Sequence, residues 1–347
     1  MTTQRVITDS ANTAAWSAQT LTYDDEGRLI QRDMTLDDNG SVHVVYDAAD
    51  TENWARIVFN YDADGRLQSE IANFDDGAHN NTFYDAAGTE TWQSQVVAYG
   101  ADGLRYRLDV MFDDGGKSVT TYDVGGTENW SKQSFTYDAD GHVTFQATNF
   151  DDDSRTTVQY DVAGLENWQQ VTLNYDAAGQ LSHQLIEYDN GTGTEIFRDA
   201  GNTAEWSKYT ITHGAEGEVT QRALAFDVGG QMVMQYDVAG TESWTANARI
   251  YMPDGTLGYA ATVNDDHSLQ ENLGSADWQE VYDVSGAVAH RSAELGNGTT
   301  LIVDYDLADA HDWSVYAVLY DAHGDALYSA GIYDNGTLAE TVVTPLA

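Results

Sequence analysis

The chain of 347 residues has no cysteine, two prolines and only 15 lysines and arginines. Without cysteine there is no disulfide, no zinc–thiolate centre and no thiol nucleophile. With so little proline, nothing interrupts a long run of regular secondary structure. No run of about 18 apolar residues exists, so no membrane-spanning helix is expected. The opening MTTQRVITDSANTAAW lacks the basic-then-apolar pattern of a secretory leader. Against the 15 basic residues stand 57 acidic ones, for a formal net charge of -42. A field of that sign repels phosphate backbones and anionic lipid, so neither nucleic acid nor membrane insertion is expected. Catalytic signatures are missing too. The nine histidines form no HxH or HExxH motif, and there is no GxSxG, phosphate loop or dinucleotide fingerprint. No catalytic residue is nominated and no cofactor is required.

What is present is a repeat. With 41% hydrophobic and 11% aromatic residues the chain can bury a core, which argues against disorder. Trp16, Trp54, Trp92, Trp130, Trp168, Trp206 and Trp244 follow one another at 38 residues, and Trp278 and Trp313 follow at 34 and 35. These are all the tryptophans of the chain, so the fold must be a repeat fold. Seven residues before Trp stands Asp, as at Asp47, Asp85, Asp123 and Asp161. Seven after it stands Tyr in most repeats, and eleven after it Gly. A third cluster, DDNG, DDG or DNG, begins twenty-one residues after Trp and recurs last at 334–336.

The unit therefore reads as three short segments separated by turn chemistry. In the second repeat they are WARIVFNY, RLQSEIANF and AHNNTFY. Ile57, Phe59 and Tyr61 alternate with Arg56, Val58 and Asn60, the period of a half-buried antiparallel strand. Asp-Gly turns suit tight hairpins, and connections of two to four residues cannot make parallel crossovers. The expected fold class is all-β: tandem repeats of about 38 residues, each with three antiparallel strands. Residues 1–347 form a single array of nine Trp-marked repeats, elongated or coiled into a β-solenoid or shell. The alternative is a many-bladed β-propeller with one repeat per blade, although three strands is one fewer than blades usually carry. Residues 264–313 are irregular and read as a terminal cap. At the N-terminus Asp9 and Trp16 are already in frame, which suggests a segment of a longer array, or an edge that pairs with further repeats or another chain.

Two readings compete for the YDxAGTExW loop. Trp is a packing plug between repeats, with Asp, Thr and Gly shaping the turn. Alternatively Trp54, Trp92, Trp130 and Trp168, with Asp47, Asp85, Asp123 and Asp161, bind a polysaccharide or cell-surface glycan by stacking and hydroxyl hydrogen bonds. Trp54 has the opposite strand parity to Ile57, Phe59 and Tyr61, which favours the second reading unless a bulge starts the strand. The paired turn carboxylates Asp37–Asp38, Asp75–Asp76, Asp113–Asp114 and Asp151–Asp152 are candidate Ca2+ ligands, because hard cations take several oxygen ligands. The bland reading is that they are turn residues.

YDADGRL at 61–67 and YDDEGRL at 23–29 resemble the YD or Rhs repeats of bacterial secreted toxins and wall-associated proteins. The 38-residue period and the recurrent Trp depart from the usual YD spacing. The whole unit is similar to repeats in large acidic alphaproteobacterial proteins of the hemolysin-type, RTX-like exported class, although the glycine-rich calcium nonapeptides of that class are missing. The resemblance covers nearly the whole chain. It implies an exported, extracellular protein with a structural or adhesive role, or part of a secreted toxin or enzyme shell, and implies calcium only loosely. A cytoplasmic location is the alternative.

Overall fold

The computed structural model describes residues 1–342 apart from Val228, Asn297, Asn335 and Gly336, so two residues of the last DNG lie outside the described residues. Every regular element described is a β-strand, and no helix is long and apolar enough to cross a membrane. The chain divides into two compact units, Met1–Ala163 and Gly164–Ala347.

Unit 1 opens with β1 (Thr3–Thr8), followed by a first repeat of β2 (Trp16–Tyr23), β3 (Leu29–Leu36) and β4 (Ser41–Tyr46). The second repeat is β5 (Trp54–Tyr61), β6 (Leu67–Phe74) and β7 (His79–Tyr84). The third is β8 (Trp92–Tyr99), β9 (Arg105–Phe112) and β10 (Lys117–Tyr122), and the fourth β11 (Trp130–Tyr137), β12 (Val143–Phe150) and β13 (Arg155–Tyr160). Each strand pairs antiparallel with the next, across repeat boundaries as well as within them. That continuity rules out propeller blades within the unit, because a blade is a sheet that ends with its own repeat. The YDxAGTExW loop is a hairpin that carries the meander onward, as β4 to β5 shows.

Three strands per repeat is an odd number, and this has a geometric consequence. β5 runs opposite to β2, while the meander keeps its direction of advance. Only a two-fold screw along the sheet does both, and it turns each repeat over onto the other face. The register shows this directly. Leu21, five residues after Trp16, lies opposite Arg32, which lies opposite Val44, which lies opposite Val58. Val58 is four residues after Trp54, so its neighbour Phe59, the true equivalent of Leu21, points the other way. From Val58 the same face passes through Ile71 and Asn81 to Val97, again five residues after its Trp. Equivalent side chains therefore share a face every second repeat.

Each first strand also begins with a bulge. Trp54 lies opposite Phe74 and Arg56 opposite Asn73, which leaves Ala55 as the extra residue. The insertion returns Trp54 to the face of Ile57 and Phe59, so its parity in the sequence carries no information about exposure. Trp92/Ser94 and Trp130/Lys132 show the same shift.

Unit 2 contains two sheets. The first runs through β14 (Trp168–Tyr175), β15 (Leu181–Tyr188), β16 (Gly193–Arg198), β17 (Trp206–His213), β18 (Val219–Phe226), β19 (Gln231–Tyr236), β20 (Trp244–Tyr251), β21 (Leu257–Asn264) and β22 (Leu269–Asn272). The second comprises β23 (Asp277–Tyr282), β24 (Val288–Glu294), β25 (Thr300–Tyr305), β26 (Trp313–Tyr320), β27 (Ala326–Tyr333) and β28 (Leu338–Val342). The irregular stretch is the crossing between the sheets rather than a terminal cap. The usual loop gives way to residues 273–276, and Trp278 becomes the second residue of β23. Its indole N–H donates to the Leu273 carbonyl at 2.6 Å, and its ring packs 5.3 Å from that of Tyr259.

The sheets of unit 2 bury one core between them. Tyr209, Leu224, Met232, Ile250 and Tyr259 follow one another in register across the first sheet and cluster with Leu295, Leu301, Val303, Leu319 and Tyr328. The face alternation explains the composition. In the repeat of Trp206 the inward positions are Trp and the residue three after it. In the repeat of Trp244 they are the residues two, four and six after it, and these are Ala246, Ala248 and Ile250. The repeat of Trp313 follows the same odd-repeat pattern with Val315, Ala317 and Leu319.

Candidate functional site

The Trp loop is built around its aspartate. In the second repeat the Glu52 N–H donates to Asp47 Oδ2 at 2.7 Å and the Thr51 hydroxyl to Asp47 Oδ1 at 3.3 Å. Asp85 receives the Glu90 N–H at 2.9 Å, Asp123 the Glu128 N–H at 2.9 Å, and Asp237 the Glu242 N–H at 2.7 Å. Asp161 stands at the same place in the fourth loop. The backbone completes the loop: the Asp47 N–H donates to the carbonyl of the bulged Ala55 at 3.1 Å. Four residues before each Trp the backbone is left-handed, and the occupants are Asn12, Asp50, Gly88, Gly126, Gly164, Asn202, Gly240, Gly274 and Asp309. Gly, Asn and Asp are the residues that tolerate this region, so the variation AGT, ADT and GNT has a single cause. The hydrogen bonds donated by the loop backbone hold the Asp47, Asp85 and Asp237 carboxyls below their ordinary value of 3.8.

The tryptophans nominated as ligand platforms, Trp54, Trp92, Trp130 and Trp168, are half-buried, whereas Trp206 is buried in the core of unit 2. In unit 1 they do not form one row. Trp54 and Trp130 occupy one face and Trp16 and Trp92 the other. Two tryptophans on the same face are six strands apart, about 29 Å along the sheet at ~4.8 Å per strand.

The carboxylate pairs take part in the hydrogen bonding of their own turns. The second Asp of each pair accepts the N–H two residues on: Asp38 from Gly40, Asp76 from Ala78, Asp114 from Gly116 and Asp152 from Ser154, each at 2.9 Å. The first Asp ties the turn to the Trp loop, the Asp75 N–H donating to the Asn53 carbonyl at 3.3 Å and likewise at Asp37, Asp113 and Asp151. Among the described residues none of these eight belongs to a group of three close ligand atoms.

Two such groups occur elsewhere, and sequence reasoning missed both. Asp138, Asp140 and His142 share a single exposed turn, where Asp138 accepts the Asp140 and His142 N–H groups at 3.0 and 2.8 Å. Glu205, Asp321 and His323 join the two sheets of unit 2. His323 Nδ1 lies 3.1 Å from Glu205 Oε1 and 3.8 Å from Asp321 Oδ2. Asp227 stands beside them, its N–H on the Glu205 carbonyl, and burial together with Asp199 and Glu205 raises its carboxyl pKa. Glu205 is 116 residues from Asp321 in the chain, so no sequence signal joins them.

A second polar cluster ties β22 to the second sheet. Glu271 accepts the Tyr259 hydroxyl at 2.8 Å and the Tyr305 hydroxyl at 2.7 Å, and pairs with Arg291 at 2.7 Å. Arg291 also binds Glu280 at 2.8 Å. Burial and the Glu271 carboxylate push both tyrosines far above their usual range, so their hydroxyls stay protonated and donate.

No family model matches the chain, and no curated protein matches it. Several solved structures are similar to it. A crystal structure of TcdB2-TccC3-Cdc42 aligns over 93% of this chain at 11% identity and a TM-score of 0.14. The chain spans only 25% of the length of that one. Apo AztD from Citrobacter koseri aligns over 83% of this chain and 92% of its own, at 10% identity and a TM-score of 0.15. A eukaryotic initiation factor aligns over the whole of both chains at 8% identity and a TM-score of 0.17. At such scores none of these likenesses carries an argument about fold or function.

Proposed function

We propose that this protein is a non-catalytic repeat module with a structural or adhesive role outside the cell, built in the manner of the YD-type repeats its turns resemble. The observation that supports the reading is the destination of the repeated polar side chains. The loop aspartates and the second carboxylate of each turn pair bind their own backbone, so the recurrent chemistry of the sequence builds the array. An acidic repeat array of this kind suits a spacer or scaffold that must stay soluble, and its first strand offers an edge for further repeats. Calcium, bound at turns or at the Glu205–Asp321–His323 corner, belongs to the same reading as a stabiliser rather than a reagent.

The experiment is a glycan array combined with tryptophan fluorescence. A scaffold shows no specific hit, and its blue-shifted emission is indifferent to added polysaccharide. Saturable quenching by a defined glycan overturns the reading in favour of a lectin.

A further inference from the structure

A groove of about 610 Å3 lies in unit 2 beside β23 to β25, bordered by Met252 of the turn after β20, by Ser275 and Ala276 of the crossing segment and by residues of the second sheet. That is within the range of small-molecule sites. Its floor is formed by Gln279, Ser292 and Thr300, which alternate along their strands with the inward Trp278, Ala293 and Leu301. Ser275, from the crossing segment, adds a further hydroxyl. The two charges in the groove are Asp277 and Glu294, which are direct cross-strand partners.

Like charges placed opposite one another destabilise a sheet. Elsewhere some cross-strand acids face a nitrogen-bearing side chain. His43 Nδ1 lies 2.6 Å from Asp33 Oδ1, and His290 Nδ1 lies 2.7 Å from Asp304 Oδ1. Arg291, the nearest arginine in sequence to the groove, points to the opposite face, where it is held by Glu271 and Glu280. Asp277 and Glu294 have no ion-pair partner among the described residues.

From this pairing of an uncompensated cross-strand acid pair with a hydroxyl-lined groove, we propose that the groove binds a small primary amine. An ammonium group carries one positive charge and three donors in little volume. It offsets the repulsion between the two carboxylates, while the Ser275, Ser292 and Thr300 hydroxyls and the Gln279 amide accept or donate to the rest of the molecule. The site does not suit a bare metal ion, since among the described residues neither carboxylate belongs to a group of three close ligand atoms. It does not suit a neutral sugar, since among the described residues no aromatic ring lines it for stacking. A polyamine and the amino group of an amino sugar present the same chemistry. The inference is independent of the scaffold reading.

The test is calorimetric titration of the whole chain with spermidine, glucosamine and N-acetylglucosamine at matched ionic strength. Two variants of equal net charge are compared: Asp277→Asn/Glu294→Gln in the groove, and Asp25→Asn/Glu90→Gln at exposed turns of unit 1. All four substituted residues are exposed, and a melting curve checks that both variants fold. Saturable one-site binding of at least one amine is expected, weakened tenfold or more in the groove variant, unchanged in the other, and absent for N-acetylglucosamine. The preferred amine identifies the source. The proposal fails if neither amine saturates, if both variants lose affinity equally, or if the acetylated sugar binds as well.

Discussion

The turning over of successive repeats can be tested with three alanine substitutions. Leu224 stands eighteen residues after Trp206 and is 1% exposed in the core of unit 2. Its equivalent one period later is Thr262, which the register places on the outer face. The inward position there passes to Val263, which is 6% exposed. Leu224→Ala removes a fully buried side chain where both sheets are ordered around it, at a cost of about 2–5 kcal/mol. For a unit of this size 1 kcal/mol moves the melting temperature by about 2–4 °C, so a drop of roughly 4–20 °C is expected. Val263→Ala, with fewer atoms removed, costs about 1–3 kcal/mol. Thr262→Ala costs about 1 kcal/mol or less, through loss of the hydrogen bond its hydroxyl accepts from Asn247 Nδ2 at 2.9 Å. The assay is thermal unfolding followed by circular dichroism, supported by urea midpoints at unchanged slope. A repeat that did not turn over would put Thr262 inside and Val263 outside. A Thr262→Ala loss equal to or greater than that of Val263→Ala would refute the screw relation.

Arg291→Met leaves Glu271 largely buried with its hydroxyl donors but without its counter-charge. A loss of about 2–4 kcal/mol in a urea titration is expected, reduced from the fully buried case because the pair retains some exposure. The loop carboxyls of Asp47, Asp85 and Asp237 have folded values below 3.8, so their contribution is present above that value and is lost as pH falls through the lowered one. Melting temperature should therefore fall below about pH 4, and fall less steeply in the Asp47→Asn/Asp85→Asn/Asp237→Asn variant. Monovalent salt should raise stability gradually by screening the -42 charge. Melting series in calcium, magnesium and sodium chloride at equal ionic strength should separate, with calcium highest; three coincident curves would remove calcium from the picture.

Much of the fold is legible in the sequence because its signals are local. The period of Trp, the alternation of Ile57, Phe59 and Tyr61, and the Asp-Gly turns each state a strand or a hairpin within a dozen residues. The bulge at Ala55 is not legible, because it adds a residue without altering composition, and it reverses the meaning of the parity of Trp54. The cross-sheet features were out of reach for a different reason. Glu205 meets His323, and Glu271 meets Arg291, only because the chain crosses to a second layer at residues 273–276. A missing four residues in the Trp spacing marks that place without saying what happens there. The apolar residues at Ala246, Ala248 and Ile250 did hold the information. They occupy positions that are Arg56, Val58 and Asn60 in the second repeat, a change that face alternation explains.

An odd number of strands per repeat also constrains how such a chain can lengthen. Gaining or losing one 38-residue copy by duplication would hand every later residue to the opposite surface, and a buried stripe downstream would become a wet one. Gaining or losing two copies leaves every surface as it was. The heritable module is therefore the pair, 76 residues long, and a single-copy change survives only where the exchanged positions are already equally tolerant of water. The half-buried, threonine- and asparagine-rich strands of unit 1 have that tolerance; the strands that enclose Leu224 and Leu319 do not.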